Sequence, residues 1–240
     1  MDLPFEQFPV LSAIEICRHV FMQRIPGIDV SHDKAEVLSR LESAHHQIRN
    51  AIGVGDWPLV TAQQIHGNKI AEVGSAPRAD RGRSEADWLS GAASIPSHEF
   101  PGCDGIITNQ SGVALGIYVA DCCAVYIVDP KTPAIGLVHS GRKGTELGVV
   151  TNAITQMMDR FDSHPANIIV QLSPCIRPPH YEIDFAAEII RQCHALGVKE
   201  IHDSAICTAC DLARYYSYRA EKGKTGRMLA LVGLHPTSAE

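Results

Sequence analysis

The chain has 240 residues, 26.1 kDa, a hydrophobic fraction of 45% and a formal net charge of -6. That composition excludes collagen-like, disordered and disulfide-scaffold classes, and the length suffices for a core without covalent staples. A net acidic chain is not built to track a nucleic-acid backbone, and no apolar run approaches a membrane-spanning length, so neither nucleic acid nor membrane is an expected partner. The opening MDLPFEQFPV has no basic segment followed by an apolar one, so no signal peptide is read there. With eight cysteines at no framework spacing, this predicts a cytoplasmic protein with mostly buried free thiols.

Ser31 and Asp33 precede Leu38, Leu41, Ala44, Ile48 and Ala51, apolar at helical spacing, with Gly53 as a stop. Leu59 to Ala62 and Asn68 to Val73 read as strands on either side of Gln64-Ile65-His66-Gly67. From Gly74 to Asp104, around Trp88, the pattern stops; such a stretch is either a functional loop or a solvated insertion. Four short apolar runs follow: Gly105 to Thr108, Val113 to Val119, Ala124 to Asp129 and Ala134 to Val138. They suit strands buried on both faces. After Gly144, one helix is predicted through Leu147, Val150, Ile154, Met157 and Phe161. Asn167 to Leu172 reads as a strand, and Asp184 caps a helix with Phe185, Ile189, Cys193 and Leu196 inward. A helical piece near Asp211 to Tyr216 and a strand from Met228 to Leu234 end the pattern. With no repeat and no composition break, one α/β or α+β domain over residues 1–240 is expected.

Three metal-ligand types end or flank predicted strands: His66, Cys122 and His139. Two imidazoles and a thiolate are a zinc-compatible set with an open fourth position. Spacing alone does not separate this from three unrelated polar residues. Cys122 and Cys123 are adjacent, so only one of them can point into a given pocket. Cys207-Thr-Ala-Cys210 lacks a second pair and reads as two half-buried thiols. The segment His139-Ser-Gly-Arg-Lys-Gly-Thr145 runs from strand to helix and offers Arg142 and Lys143 to an anion, as do Arg219 and Arg227 further on.

These pieces together resemble a known family. Gln64-Ile65-His66-Gly67 is similar to its QVHG, and Asp104-Gly-Ile-Ile-Thr108 with Ala120-Asp121-Cys122 to its DALVT and ADC. His139-Ser-Gly is similar to the start of its HAGWRG, and Ser173-Pro-Cys-Ile176, Tyr181-Glu182, Cys207-Thr208, Ser217-Tyr-Arg219 and Thr225-Gly-Arg227 to its tail. This is the YfiH or laccase-domain family, also called multicopper polyphenol oxidases and described as purine nucleoside phosphorylases. Over the first sixty residues the resemblance is loose and runs only through Arg24.

The resemblance implies a four-layer α/β/β/α sandwich with mixed sheets and a metal site of His66, Cys122 and His139. It implies zinc, with copper as the alternative, and cleavage of adenosine, inosine or methylthioadenosine by phosphate, with deamination of adenosine as a side activity. Asp121, Cys122 and His139 would be catalytic. Arg24, Gln64, Lys143 and Arg219 would bind substrate or phosphate. A monomer or homodimer is expected. Amide hydrolysis on a cell-wall precursor, phenol oxidation by copper and metal binding without catalysis are the competing readings. Multicopper chemistry uses His-x-His pairs, and none occurs here. The chain reads HSGRKG where the family has HAGWRG, so an aromatic is lost and Lys143 replaces an arginine.

Overall fold

A computed structural model describes residues 3–74 and 98–235. Trp88 and most of the stretch between Gly74 and Asp104 lie outside the described residues. Among the described residues, two mixed six-stranded sheets form the centre, and a four-residue helix, α1 (Pro9–Ser12), precedes the longer ones. The first has the order β1 (Phe5–Glu6), β2 (Cys17–Met22), β12 (Met228–Leu234), β7 (Ala114–Val119), β3 (Leu59–Ala62), β5 (His98–Phe100). The second has the order β11 (Glu200–Asp203), β10 (Ile169–Leu172), β8 (Cys123–Asp129), β9 (Ala134–Ser140), β6 (Gly105–Thr108), β4 (Ile70–Val73).

Side-chain alternation along the strands builds the layers. On β8, Ala124, Tyr126 and Val128 face the first sheet, whereas Cys123, Val125 and Ile127 face the helices α4 (Val149–Phe161) and α5 (Phe185–Ala195). On β12, Ala230 and Val232 point between the sheets, whereas Leu229 and Leu231 meet Val37, Leu41 and Ile48 of α2 (Lys34–Ala51). Helix, sheet, sheet and helices therefore stack as the four layers expected. Strands covered on both faces carry nothing but apolar side chains at these positions, which is why the sequence shows runs and not alternation.

Some expectations need correction. Asp33 does cap α2, its side chain accepting from the Ala35 and Glu36 N–H groups, but Val37 takes the core position and Ala51 is exposed. The helix predicted after Gly144 is two: α3 (Arg142–Glu146) and α4, separated at Gly148, whose φ of 69° cannot continue a right-handed helix. Leu147 is consequently exposed. Asp211 to Tyr216 is not helical. The Asp211 carboxylate accepts the Arg214 N–H at 3.2 Å and closes a turn, the usual way a short acidic side chain competes with a helix.

Candidate functional site

Strand register gathers the chemistry at one end of the second sheet. β8 and β9 are antiparallel with Ala124 opposite His139, so Cys122, just ahead of β8, lies beside the end of β9. β6 flanks β9 with Gly105 opposite Val138, which sets Asp104 against His139. β4 pairs with β6, Ile70 opposite Gly105, so the loop carrying Gln64 to Gly67 crosses the same end.

Asp104 ties these strands together. It is fully buried. One carboxylate oxygen, Oδ1, accepts the His66 N–H at 2.8 Å and meets His139 Nδ1 at 2.9 Å. The other, Oδ2, accepts from Gly67 at 2.6 Å and Ile65 at 3.2 Å. Burial opposes its ionisation, but the His139 and Gly67 hydrogen bonds hold the carboxyl below its ordinary range. With Nδ1 so engaged, His139 turns Nε2 to the cluster, the carboxylate–histidine arrangement that orients metal ligands.

The ligand atoms of His66, Cys122 and His139 all lie within 4.8 Å of one another, with Cys122 Sγ 4.0 Å from His66 Nε2. The histidine rings stand edge to face, 4.8 Å between centroids. Two imidazoles and a thiolate converging this closely fit a zinc or copper ion. Burial works against a charged Cys122, yet His139 and then His66 bring the thiol down to about 6. Burial works against a charged His139 too, but the Cys122 thiolate and Asp104 carry it up to about 9. Each shift favours the charged form of its group, and a metal ion takes His139 only as the neutral ring, so binding there releases protons.

The backbone here is unusual. Gln64, His66 and Asp121 have φ of 64°, 61° and 81°, left-handed values that non-glycine residues rarely adopt. Gly141, in contrast, is required by space: a Cβ there would meet Cys122 Sγ at 2.5 Å.

A cavity of about 640 Å3 opens over the cluster. Its described lining includes the cations Lys34, Arg142, Arg219, Lys222 and Arg227 against a single carboxylate, Asp121. Tyr118, Tyr181, Phe185 and Tyr218 add aromatic surface. Eight residues singled out from the sequence line it: Gln64, His66, Asp121, Cys122, His139, Arg142, Arg219 and Arg227. Gln64 is held by the Tyr118 backbone, donating to its carbonyl at 2.5 Å and accepting its N–H at 3.0 Å. Asp121 accepts the Thr208 hydroxyl on one oxygen and the Arg219 N–H on the other, both at 2.7 Å. It therefore serves as an anchor between Cys122 and the Arg219 segment. The Arg219 guanidinium pairs with Glu182 and lies over Tyr181.

Arg24 and Lys143 do not line the cavity. Arg24 pairs with Glu221 at 2.7 Å, donates to the Tyr215 carbonyl and covers the Tyr216 ring. Lys143 is exposed on α3 while its neighbour Arg142 faces the cavity. Successive helical residues point about 100° apart, so one of the two must turn away. Cys123 points into the core between β8 and the helices, as its position next to Cys122 demands. Sequence reasoning quoted Asp104 only within a motif and gave it no role, although an acid directly ahead of a buried strand was a usable signal. Nothing local marked Lys34 or Lys222.

The family model described as multi-copper polyphenol oxidoreductase laccase matches residues 24–188 and 180–235. Purine nucleoside phosphorylase YlmD of Geobacillus stearothermophilus is 28% identical over 86% of this chain and 82% of its own. Purine nucleoside phosphorylase ORF3 of Streptomyces griseus is 27% identical over 87% and 85%. The crystal structure of the Geobacillus YlmD superposes with a TM-score of 0.73 at 23% identity, covering 98% of this chain and all of that one. The Neisseria meningitidis protein NMB0706 superposes with 0.74 at 18% identity, with coverage of 98% and 100%. These last two likenesses concern the fold.

Proposed function

The chain belongs to the multi-copper polyphenol oxidoreductase laccase family, and from that premise we propose that it is a zinc-dependent purine nucleoside phosphorylase acting on adenosine, inosine and methylthioadenosine. The observation that carries this reading is electrostatic. In a chain of net charge -6, the described cavity lining holds five cations and one carboxylate, and it adjoins the His66–Cys122–His139 cluster. Such a pocket selects a small anion, and its aromatic walls suit a flat heterocycle. Its volume lies within the range of about 300–1,000 Å3 usual for small-molecule sites. The relatives named as purine nucleoside phosphorylases supply the substrate class.

In this reading Arg219 and Arg227 hold phosphate, with Arg142, Lys34 and Lys222 screening its charge. Tyr118, Tyr181 and Tyr218 offer faces to the purine. His66, Cys122 and His139 hold the metal, which supplies Lewis acidity when bound. Asp104 fixes the tautomer of His139, and Asp121 keeps the Arg219 backbone beside Cys122. A phosphate oxygen bonds to the anomeric carbon as the glycosidic C–N bond breaks; the electron pair goes to the purine nitrogen. The proton that ends on the base comes from dihydrogen phosphate, so no further reactant is needed. Incubation with inosine should yield hypoxanthine and ribose 1-phosphate only when phosphate is present. Hypoxanthine with free ribose, or no product from any of the three nucleosides by the zinc-loaded protein, refutes the assignment. Multicopper oxidation is not favoured, because the candidate metal clusters among the described residues contain at most two histidines each.

A further inference from the structure

A second cluster of metal-ligating side chains lies outside the cavity. His180 sits in the turn after Arg177, Cys207 immediately precedes the short 3-10 helix Thr208–Cys210, and Cys210 is its last residue. The sequence offered the two cysteines as a C-x-x-C without partners; the fold supplies the partner from 27 residues upstream of Cys207. The extension of the parallel pairing between β10 and β11 does this. Cys175 and Cys207 pair through their backbones in an isolated parallel β-bridge: the Cys175 N–H donates to the Ile206 carbonyl, and the Thr208 N–H donates to the Cys175 carbonyl. The Cys210 N–H then donates to the Cys207 carbonyl, closing the turn that turns both thiols to one side.

His180 Nδ1 lies 3.8 Å from Cys207 Sγ and 3.5 Å from Cys210 Sγ. A tetrahedral zinc ion with bonds of about 2.3 Å to sulfur and about 2.0–2.1 Å to nitrogen needs sulfur and nitrogen about 3.6 Å apart. Both sulfurs are therefore already near binding separation from the imidazole nitrogen, and all three ligand atoms lie within 4.8 Å of one another. His180 and Cys210 are exposed and Cys207 is half-buried, so an ion can enter without rearrangement.

We propose that His180, Cys207 and Cys210 form a second metal site, for a thiophilic ion of the zinc class, that clips the turn bearing Tyr181 and Glu182 to the segment bearing Thr208. Both ends of the clip reach the cavity. Tyr181 is part of its wall and Glu182 pairs with Arg219. The Thr208 hydroxyl donates to Asp121, next to Cys122. The donors are two soft thiolates and one imidazole, the set that zinc and monovalent copper prefer over calcium or magnesium. The role is positional: the ion holds a wall in place and takes no part in bond making. The site stands independently of the phosphorylase reading.

The test counts metal in protein purified under reducing conditions and saturated with zinc. Wild type should hold two equivalents after gel filtration, Cys122→Ala one, and Cys122→Ala with Cys210→Ser none. His180→Ala in the otherwise wild-type chain should hold one. In the Cys122→Ala background, cobalt should give a thiolate charge-transfer band that Cys210→Ser halves or abolishes, a readout that needs no activity. Amides of His180 and Tyr181 should exchange with deuterium faster in Cys210→Ser than in wild type. One equivalent in wild type, metal unchanged by Cys210→Ser, or two thiols lost to a Cys207–Cys210 disulfide in freshly reduced protein would overturn the proposal. Circular dichroism checks that each variant is folded; the exposed Cys210→Ser change keeps the test open if Cys122→Ala is not.

Discussion

Replacing Asp104 with asparagine tests whether one buried carboxylate organises the cluster. The change keeps the shape and swaps one acceptor oxygen for a donor. In the structure each oxygen serves two donors: Oδ1 serves His66 N–H and His139 Nδ1, and Oδ2 serves Gly67 and Ile65 N–H. Whichever way the amide turns, two donors lose their acceptor. Each buried donor left unpaired costs about 1–3 kcal/mol, so the apoprotein should lose about 2–6 kcal/mol. If the amide nitrogen faces His139, the ring can recover by moving its proton to Nε2, but that atom then cannot bind metal. If it faces Gly67, the His66 loop loses the bonds that hold its left-handed backbone. Either outcome should weaken zinc binding by about 10–100-fold, the usual effect of removing a ligand's supporting partner. Urea unfolding in chelator measures the first quantity, and competition against a chromogenic chelator measures the second. A variant within about 0.5 kcal/mol of wild type in stability, with zinc affinity within about threefold, would refute the reasoning; such changes are typical of surface substitutions.

Gly141→Ala should lower zinc affinity at the His66 cluster by about tenfold or more with the fold retained, since the added methyl displaces Cys122 Sγ while the Gly141 φ of -100° suits alanine; equal zinc content after dialysis would contradict it. Cys122→Ala should lose the metal of the His66 cluster with little change in the unfolding midpoint measured in chelator, whereas Cys123→Ala, fully buried against Ser173, should keep that metal and lose about 1–2 kcal/mol of stability. Arg219→Lys keeps the charge and loses the guanidinium fork, so the KM for phosphate should rise about tenfold with an unchanged circular dichroism spectrum; an unchanged KM removes Arg219 from phosphate binding. Burial lowers the pKa of both His19 and His45 to about 4. The unfolded chain takes protons below about pH 6.5 that the folded chain refuses, so stability should fall between pH 6.5 and 4 by about 3 kcal/mol per histidine. His45→Leu should remove about half of that loss in urea titrations, and an unaltered pH profile would count against the burial argument.

Much of this fold was legible because buried strands and amphipathic helices write their packing into the sequence. The apolar runs from Gly105 to Val138 became β6 to β9 with ends shifted by a residue or two. Asp33 and Asp184 both cap helices, for the reason that their side chains reach backbone N–H groups two or three residues on. What failed was local geometry that depends on one backbone angle or one competing hydrogen bond, as at Gly148 and Asp211. The site was half legible. His66, Cys122 and His139 were chosen as ligand types at strand ends, but their convergence rests on register between β6, β8 and β9, which no short window contains. Lys143 was chosen by residue type and Arg24 through the resemblance alone, and neither says which way a side chain faces. Cys207 and Cys210 looked unpartnered because their histidine arrives through long-range parallel pairing.

The distribution of charge explains why an acidic chain can host an anion site. The described cavity lining carries five cations and one carboxylate, so the residues outside it hold a formal charge of about -10 against the overall -6. Under the proposed reading, phosphate would be repelled by most of the surface and drawn to this opening, where field lines concentrate between low-dielectric walls. Three of these five cations, Arg219, Lys222 and Arg227, come from one segment that Asp121 holds through the Arg219 N–H and Thr208. The residue beside the Cys122 ligand therefore also fixes the segment that supplies most of the positive charge. Metal cluster and cationic wall are joined through a single carboxylate, so a change that releases Asp121 should disturb both at once. Changes to Lys34 or Arg142, which lie on separate elements, should alter the charge of the pocket and leave the cluster as it is.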